Sequence, residues 1–227
     1  MQKNLLSLVF LFLALPLFSQ VNTGDIILSL DGNYMKTNTG GGVTTNMTGS
    51  RAHNLDISLS AGYFFTERVV AGIGLDYKLD KGVRSNLLNF NNFIQTEEMD
   101  YKSHAWLPNA YVGLYFPIVN KLYVTANFKV SYGKINASYT TTYAGGGKYL
   151  LLSPTTNYMY VSSADLKADY FSNMIYPEVL YFVGEKTSIS LGLGGIQYAL
   201  TDWDTHNAEV AVNFNPVHWK LGVKMKL

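Results

Sequence analysis

The chain has 227 residues, a length that one-domain β-barrels reach and that leaves little room for two compact domains. Charged residues make up 15% of it against roughly 25% in a typical soluble protein, and aromatics reach 14% with 17 Tyr, so an ordinary cytosolic enzyme is disfavoured. Seventeen basic and 16 acidic residues leave +1, which gives no electrostatic footprint for nucleic acid, and zero cysteines exclude disulfides, thiolate metal sites and cysteine nucleophiles.

The N-terminus reads as an export address. Met1, Gln2, Lys3 and Asn4 make a short positive start, an apolar run follows over residues 5–18, and Ser19-Gln20 precede a polar turn in the chain. This is the pattern of a cleaved signal peptide over residues 1–20, with a single barrel domain over 21–227. The run holds about 14 apolar residues and contains Pro16, which is short for a spanning helix. Loss of Lys3 leaves the mature chain with equal numbers of basic and acidic residues. After the leader, the longest stretch without Asp, Glu, Lys or Arg is 103–120; it carries His104, Pro108, Asn109 and Gly113 and predicts a strand rather than a membrane helix.

Period two then runs along the chain, the signature of strands with one apolar and one polar face. Ile26, Leu28, Leu30 and Tyr34 alternate with Ser29, Asp31 and Asn33. Leu55, Ile57, Leu59, Ala61 and Tyr63 alternate with Asp56, Ser58 and Ser60, and Ala71, Ile73, Leu75 and Tyr77 with Gly72, Gly74, Asp76 and Lys78. The fourth strand shows Trp106, Ala110, Val112, Leu114 and Phe116; the fifth shows Leu122, Val124, Phe128, Val130 and Tyr132 opposed by Asn127, Lys129 and Ser131. In the sixth, Ile175, Pro177, Val179 and Tyr181 oppose Glu178, although Leu180 and Phe182 blur the contrast. The seventh opposes Ile189 and Leu191 to Ser190 and Gly192, and the parity switch at Ile196 and Tyr198 predicts a bulge at Gly194-Gly195. Trp219, Leu221, Val223, Met225 and Leu227 close the chain, alternating with Lys220, Gly222, Lys224 and Lys226.

Connections alternate in length. Tight links at 66–68, 117–121 and 184–186 contrast with regions near 37–53, 80–102, 136–165 and 199–208, which are rich in Gly, Asn, Thr and Ser and read as long loops. Tyr63-Phe64, Tyr115-Phe116 and Tyr181-Phe182 precede the three short links as a weak internal repeat of hairpins. Gly, Ser and Asn dominate the polar face, which suits a cramped barrel interior, so the apolar face is expected to meet lipid. The inverted arrangement is a soluble lipocalin-like barrel or sandwich with an apolar interior. Tyr63, Phe116 and Tyr181 near the short links, and Tyr34, Tyr77, Trp106, Tyr132 and Trp219 toward the long ones, are placed as two interfacial aromatic girdles. The predicted fold is all-β: a closed, eight-stranded, antiparallel up-and-down transmembrane β-barrel, since only closure pairs every backbone group in hydrocarbon.

Leader, eight alternating strands, short and long connections and an alternating terminal strand resemble the small outer-membrane β-barrels of Gram-negative bacteria, the OmpX and OmpA-transmembrane-domain type. The resemblance implies export to the cell outer membrane, both termini periplasmic and four outer loops. It also implies that Trp219, Leu221, Val223, Met225 and Leu227 act as the signal read by the barrel assembly machinery, with Leu227 where the family ends on Phe.

Catalytic signals are thin. His206 follows Asp202-Trp203-Asp204-Thr205, but Ala208 stands where a deacylase-like His-x-Ser pattern has its nucleophile. His53, His104 and His218 lack metal-ligand spacing. Gly72-Ile73-Gly74 and Gly192-Leu193-Gly194 lie within strands, lack the helix of a nucleotide loop, and are expected to make room inside the barrel. Asp31, Asp56, Asp76, Lys78, Lys129, Glu178, Lys220 and Lys224 share the polar face and predict an internal salt-bridge network that plugs the lumen. Tyr139, Tyr143, Tyr149, Leu150 to Leu152, Tyr158, Met159 and Tyr160, with Leu87, Leu88, Phe90, Phe93 and Ile94, make two outer regions apolar enough to meet a partner or to pair with each other. The expectation is a monomeric, non-catalytic outer-membrane barrel without cofactor or metal. Its partners are membrane lipid, the assembly machinery and a surface partner reached through the loops. An enzyme acting on lipid A or phospholipid and a narrow solute channel are the alternatives.

Overall fold

The computed structural model describes residues 21–39, 48–90, 93–147, 156–201 and 207–227. The leader, Tyr149 to Leu152 and Asp202 to His206 lie outside the described residues. Ten strands follow in order: β1 (Ile26–Thr39), β2 (Thr48–Phe64), β3 (Val69–Phe90), β4 (Phe93–Val119), β5 (Leu122–Gly147), β6 (Thr156–Phe182), β7 (Thr187–Gly192), β8 (Gly195–Thr201), β9 (Asn207–Asn213) and β10 (Lys220–Lys226). They form eight wall strands. β7 and β8 are two lengths of one strand, both paired with β6, while β9 and β10 are two lengths of the last, paired with β8 and β7. All neighbours run antiparallel, and β10 also pairs with β1 from Ile27↔Lys226 to Gly32↔Leu221, which closes the ring. The closed eight-stranded antiparallel barrel is the fold that the alternation predicts.

The three tight links fall where the sequence places them. In the first, Thr66 Oγ1 accepts from the backbone N–H groups of Arg68 and Val69 at 3.2 and 3.0 Å, the side-chain turn for which Thr is suited. The parity switch is a bulge at Leu193-Gly194, where Gly194 has φ +82° and a Cβ would collide with the Asn213 backbone. Pro177 sits in β6 opposite this interruption, so its missing N–H breaks no ladder there, and its carbonyl accepts from Leu193 N at 3.1 Å.

Two expectations need correction. The regions 80–102 and 136–165 are not long loops: pairing runs without a gap to Phe90↔Phe93 and to Gly147↔Thr156. Their Thr, Ser, Asn and Gly content imitates loop composition, but a ladder anchored at one end continues one hydrogen-bonded pair at a time. The wall is therefore unequal, with 14 and 17 residues in β1 and β2 against 27, 26 and 27 in β4, β5 and β6.

The second correction concerns the lumen. At the end bearing the tight turns it is filled by apolar side chains rather than polar ones: Val21, Ile27, Phe64, Val70, Tyr115, Tyr123, Leu180 and Phe182 form one buried cluster. Edge-on ring contacts run through it, from Phe64 to Tyr115 at 4.9 Å between centroids and from Tyr123 to Phe182 at 5.6 Å. This is why the sixth strand loses its contrast near its end: Leu180 and Phe182 keep the inward parity of Glu178 but enter the apolar floor. Gly72 makes room as expected, since a Cβ there would meet the Tyr111 ring at 2.7 Å, whereas Gly192 has only ordinary contacts.

Candidate functional site: the charged lumen and its outer rim

Strand alternation turns each inner face toward the others, and all eight predicted lumen ions lie on that face. Directly above the apolar floor, Lys224 of the closing strand donates to Glu178 Oε2 at 2.6 Å with both side chains buried, and Thr125 and Asn127 donate to the same oxygen at 3.3 and 3.5 Å. Asp31 accepts from Ser190 Oγ at 3.0 Å. One level higher, Lys129 pairs with Asp76 at 2.7 Å while Ser58 also donates to Asp76, and Lys220 pairs with Asp56 at 3.3 Å. Pairing on this scale is what makes charge tolerable away from water. Six of the eight are thus brought into three ion pairs. Lys78 instead lies 5.4 Å above the Tyr170 ring, whose hydroxyl accepts from Gln197 Nε2 at 2.7 Å.

Above these pairs the lumen opens into a chamber of about 300 Å³, bounded by Asp76, Lys78, Asp80, Lys129, Lys220 and His218 among others. Asp80, Tyr170 and Gln197 escaped the sequence reading. Asp80 carries the same even parity as Asp76 and Lys78, so its signal was present but lay in a region assigned to loop. Gln197 is displaced in parity by the bulge, and Tyr170 fell between the region 136–165 and Ile175, the first alternating position of the sixth strand.

The outer face is the complement. Leu75 is 38% exposed where its neighbour Asp76 is 4% exposed, and Leu59, Ile73, Leu114, Phe128 and Val223 continue the outward apolar surface around the ring. Tyr63 and Phe116 are exposed at the turn end, with Tyr181 half-buried beside them; Tyr63 and Phe65 touch edge-on at 5.1 Å. At the opposite rim Tyr77 and Trp106 pair at 4.6 Å, Tyr34 OH meets His53 Nδ1 at 2.8 Å, Tyr132 OH donates to Asp169 at 3.4 Å, and Trp219 Nε1 donates to the Phe214 carbonyl at 3.2 Å. Each of these last three rings keeps an apolar body on the belt and satisfies its polar tip, as an interface between oil and water demands. Leu221, Val223, Met225 and Leu227 also point outward, with Trp219 half-buried at their head.

The remaining motifs do not assemble. His104 stands opposite Leu79 and Asn136 in the sheet, and His218 sits in a short 3₁₀ turn, Pro216–His218. Among the described residues no group of three or more His, Asp or Glu is placed to hold a metal ion. Leu87, Leu88, Phe90, Phe93 and Ile94 lie in strands at the β3–β4 tip, and Tyr143 stacks on Tyr160 at 6.3 Å on β5 and β6.

No family pattern and no curated protein matches the chain. Among solved structures it is similar to the RagAB peptide importer in its open-open state, at 12% identity and TM-score 0.36 over 73% of this chain, although the chain spans only 19% of that protein's length. It is also similar to the translocator domain of the autotransporter NalP from Neisseria meningitidis, at 9% identity and TM-score 0.26, covering 100% of this chain and 95% of that one. A third is the β domain of the Bordetella autotransporter BrkA, at 8% identity and TM-score 0.23, covering 90% and 99%. Likenesses this low say nothing of what the chain does, and the reading of its function rests on its own geometry.

Proposed function

We propose that the protein is an outer-membrane β-barrel with a structural or surface-interaction role, presenting its tall β3–β6 wall to the outside while its lumen stays shut. The observation that carries this is the outward apolar belt around a closed ring, bounded at both ends by aromatic side chains. A soluble monomer rarely exposes an apolar patch beyond a few hundred Å². The same belt makes membrane lipid the first partner, and the outward terminal strand from Trp219 to Leu227 is the segment offered to the assembly machinery. The apolar floor favours a closed lumen over the channel alternative, and no catalysis is assigned.

The interaction role is supported by the unequal walls. Among the described residues β8 reaches only as far as Tyr170 on β6, so the segment from Thr156 to Asp169 pairs there with β5 alone and leaves its other edge open. Open strand edges are surfaces onto which further chains can add. Deleting residues 82–101 together with 139–164, whose ends Gly82↔Tyr101 and Tyr139↔Ala164 are paired positions at one level of the sheet, removes both tall hairpins and leaves the belt intact. The shortened barrel is expected to fold and reach the membrane but to lose any cell–cell or cell–surface attachment that the full chain confers. Attachment by cells carrying the shortened barrel equal to that of the full chain would leave only the structural role.

A further inference from the structure

The wall is not sealed over its whole height. Among the described residues β1 pairs with β10 only up to Gly32↔Leu221; from Asn33 to Thr39 it pairs with β2 alone, and β9 pairs with β8 alone. Between them the last wall strand is broken from Phe214 to Trp219 by the 3₁₀ turn. One side chain bridges the break: Asn33 Nδ2 donates to the carbonyls of Val217 and Trp219 at 3.0 and 2.5 Å. The chamber is lined from both sides of this seam, by Met35 on β1 and Ala211 on β9. Its outer margin carries Tyr34, Val212, Phe214 and Val217, all exposed, beside the aromatic rim at Trp219.

The charges inside are unequally spent. Lys129 and Lys220 already hold Asp76 and Asp56. Among the described residues Lys78 has no carboxylate within ion-pair distance, and the Asp80 carboxylate has no hydrogen bond or ion pair. Asn54, opposite Asp80 in the sheet, has a buried Oδ1 without a donor. Lys78, held by the Tyr170 ring and hydroxyl and by the longer-range pull of Asp56, Asp76 and Asp80 but by no ion pair among the described residues, and two acceptors without a donor on neighbouring inward positions suit a ligand carrying an anion and an ammonium together. An apolar-margined side window beside them asks for one whose tail stays outside.

We propose that this chamber binds the zwitterionic head of a single-chain amphiphile through the β1–β9 window, with Lys78 on its phosphate and Asp80 and Asn54 on its ammonium. The source of such a ligand in the surrounding lipid rests on the membrane reading above, but binding itself does not. The full mature barrel, folded in detergent, would be titrated with lysophosphatidylethanolamine and followed by native mass spectrometry, folding being read separately by its heat-shifted electrophoretic migration. One molecule should be retained, with lysophosphatidylglycerol, which lacks the ammonium, and free phosphoethanolamine, which lacks the tail, each bound at least about tenfold more weakly. Asp80→Asn and Lys78→Met should each weaken retention by a similar factor, loss of one charge-assisted contact. With no native cysteine in the chain, Tyr34→Cys and Val212→Cys can be bridged across the window's outer margin by a reducible bismaleimide. Bridging should abolish retention and reduction should restore it. Equal retention of all three probes, retention unchanged in both charge variants, or retention by the bridged barrel would each overturn the proposal, whereas absence of the heat shift would count against the barrel reading instead.

Discussion

Glu178 and Lys224 offer a direct measure of how the lumen tolerates charge. Lys224→Met removes the partner at 2.6 Å and leaves Glu178 with only the longer contacts from Thr125 and Asn127. Breaking a buried pair in this way costs about 3–5 kcal/mol, most of it the desolvation of the ion left behind. Glu178→Gln is milder, because the amide oxygen still accepts from Thr125 and Asn127, and Asp31 remains to attract Lys224; the expected cost is about 3 kcal/mol. The double variant no longer orphans Glu178, leaving only Asp31 without its cation, and is expected to cost no more than Lys224→Met alone, giving a coupling of about 3 kcal/mol, the cost of Glu178→Gln. Urea titrations of folding into lipid vesicles would supply all four corners of the cycle. Additive single costs, with the double variant worst of all, would refute the pairing.

Phe64→Ala empties the centre of the apolar floor and should cost about 3–5 kcal/mol by the same titration. Planar bilayers should show no steady conductance for wild type and measurable leak for this variant; unitary steps from the intact protein would instead promote a channel. Leu75→Arg places a guanidinium in the outward belt and should cost roughly 2–4 kcal/mol, while Asp76→Asn, which keeps its volume and the Ser58 contact, should cost less. The reverse order would mean that the faces are inverted.

Strand alternation carried most of the fold to the surface of the sequence. Asp76 and Leu75 declare opposite faces by parity alone, and even the bulge at Gly194 announces itself through Ile196 and Tyr198. What parity misses is height. Leu180 and Phe182 share the inward face with Glu178, and only their position along the barrel axis decides that they join an apolar floor instead of the charged middle. Asp80 was hidden for a related reason: its surroundings have loop composition, and only the continuous β3–β4 ladder makes it a lumen residue. The break at Phe214 to Trp219 leaves no signal in the terminal alternation, because Trp219 to Leu227 keeps perfect parity below it. Which ions pair was equally illegible, since cross-lumen neighbours such as Lys129 and Asp76 are set by the stagger of closure rather than by spacing along the chain.

The central claim is that a closed barrel meets lipid with its odd positions on β3 and shields its even ones. Because the chain has no cysteine, single cysteines at Ile73, Leu75, Asp76 and Lys78 can each carry one fluorophore in barrels refolded into vesicles. Nitroxide-labelled lipid should quench the probes at 73 and 75 strongly and those at 76 and 78 weakly; equal quenching at all four, or stronger quenching at 76 and 78, would contradict the account.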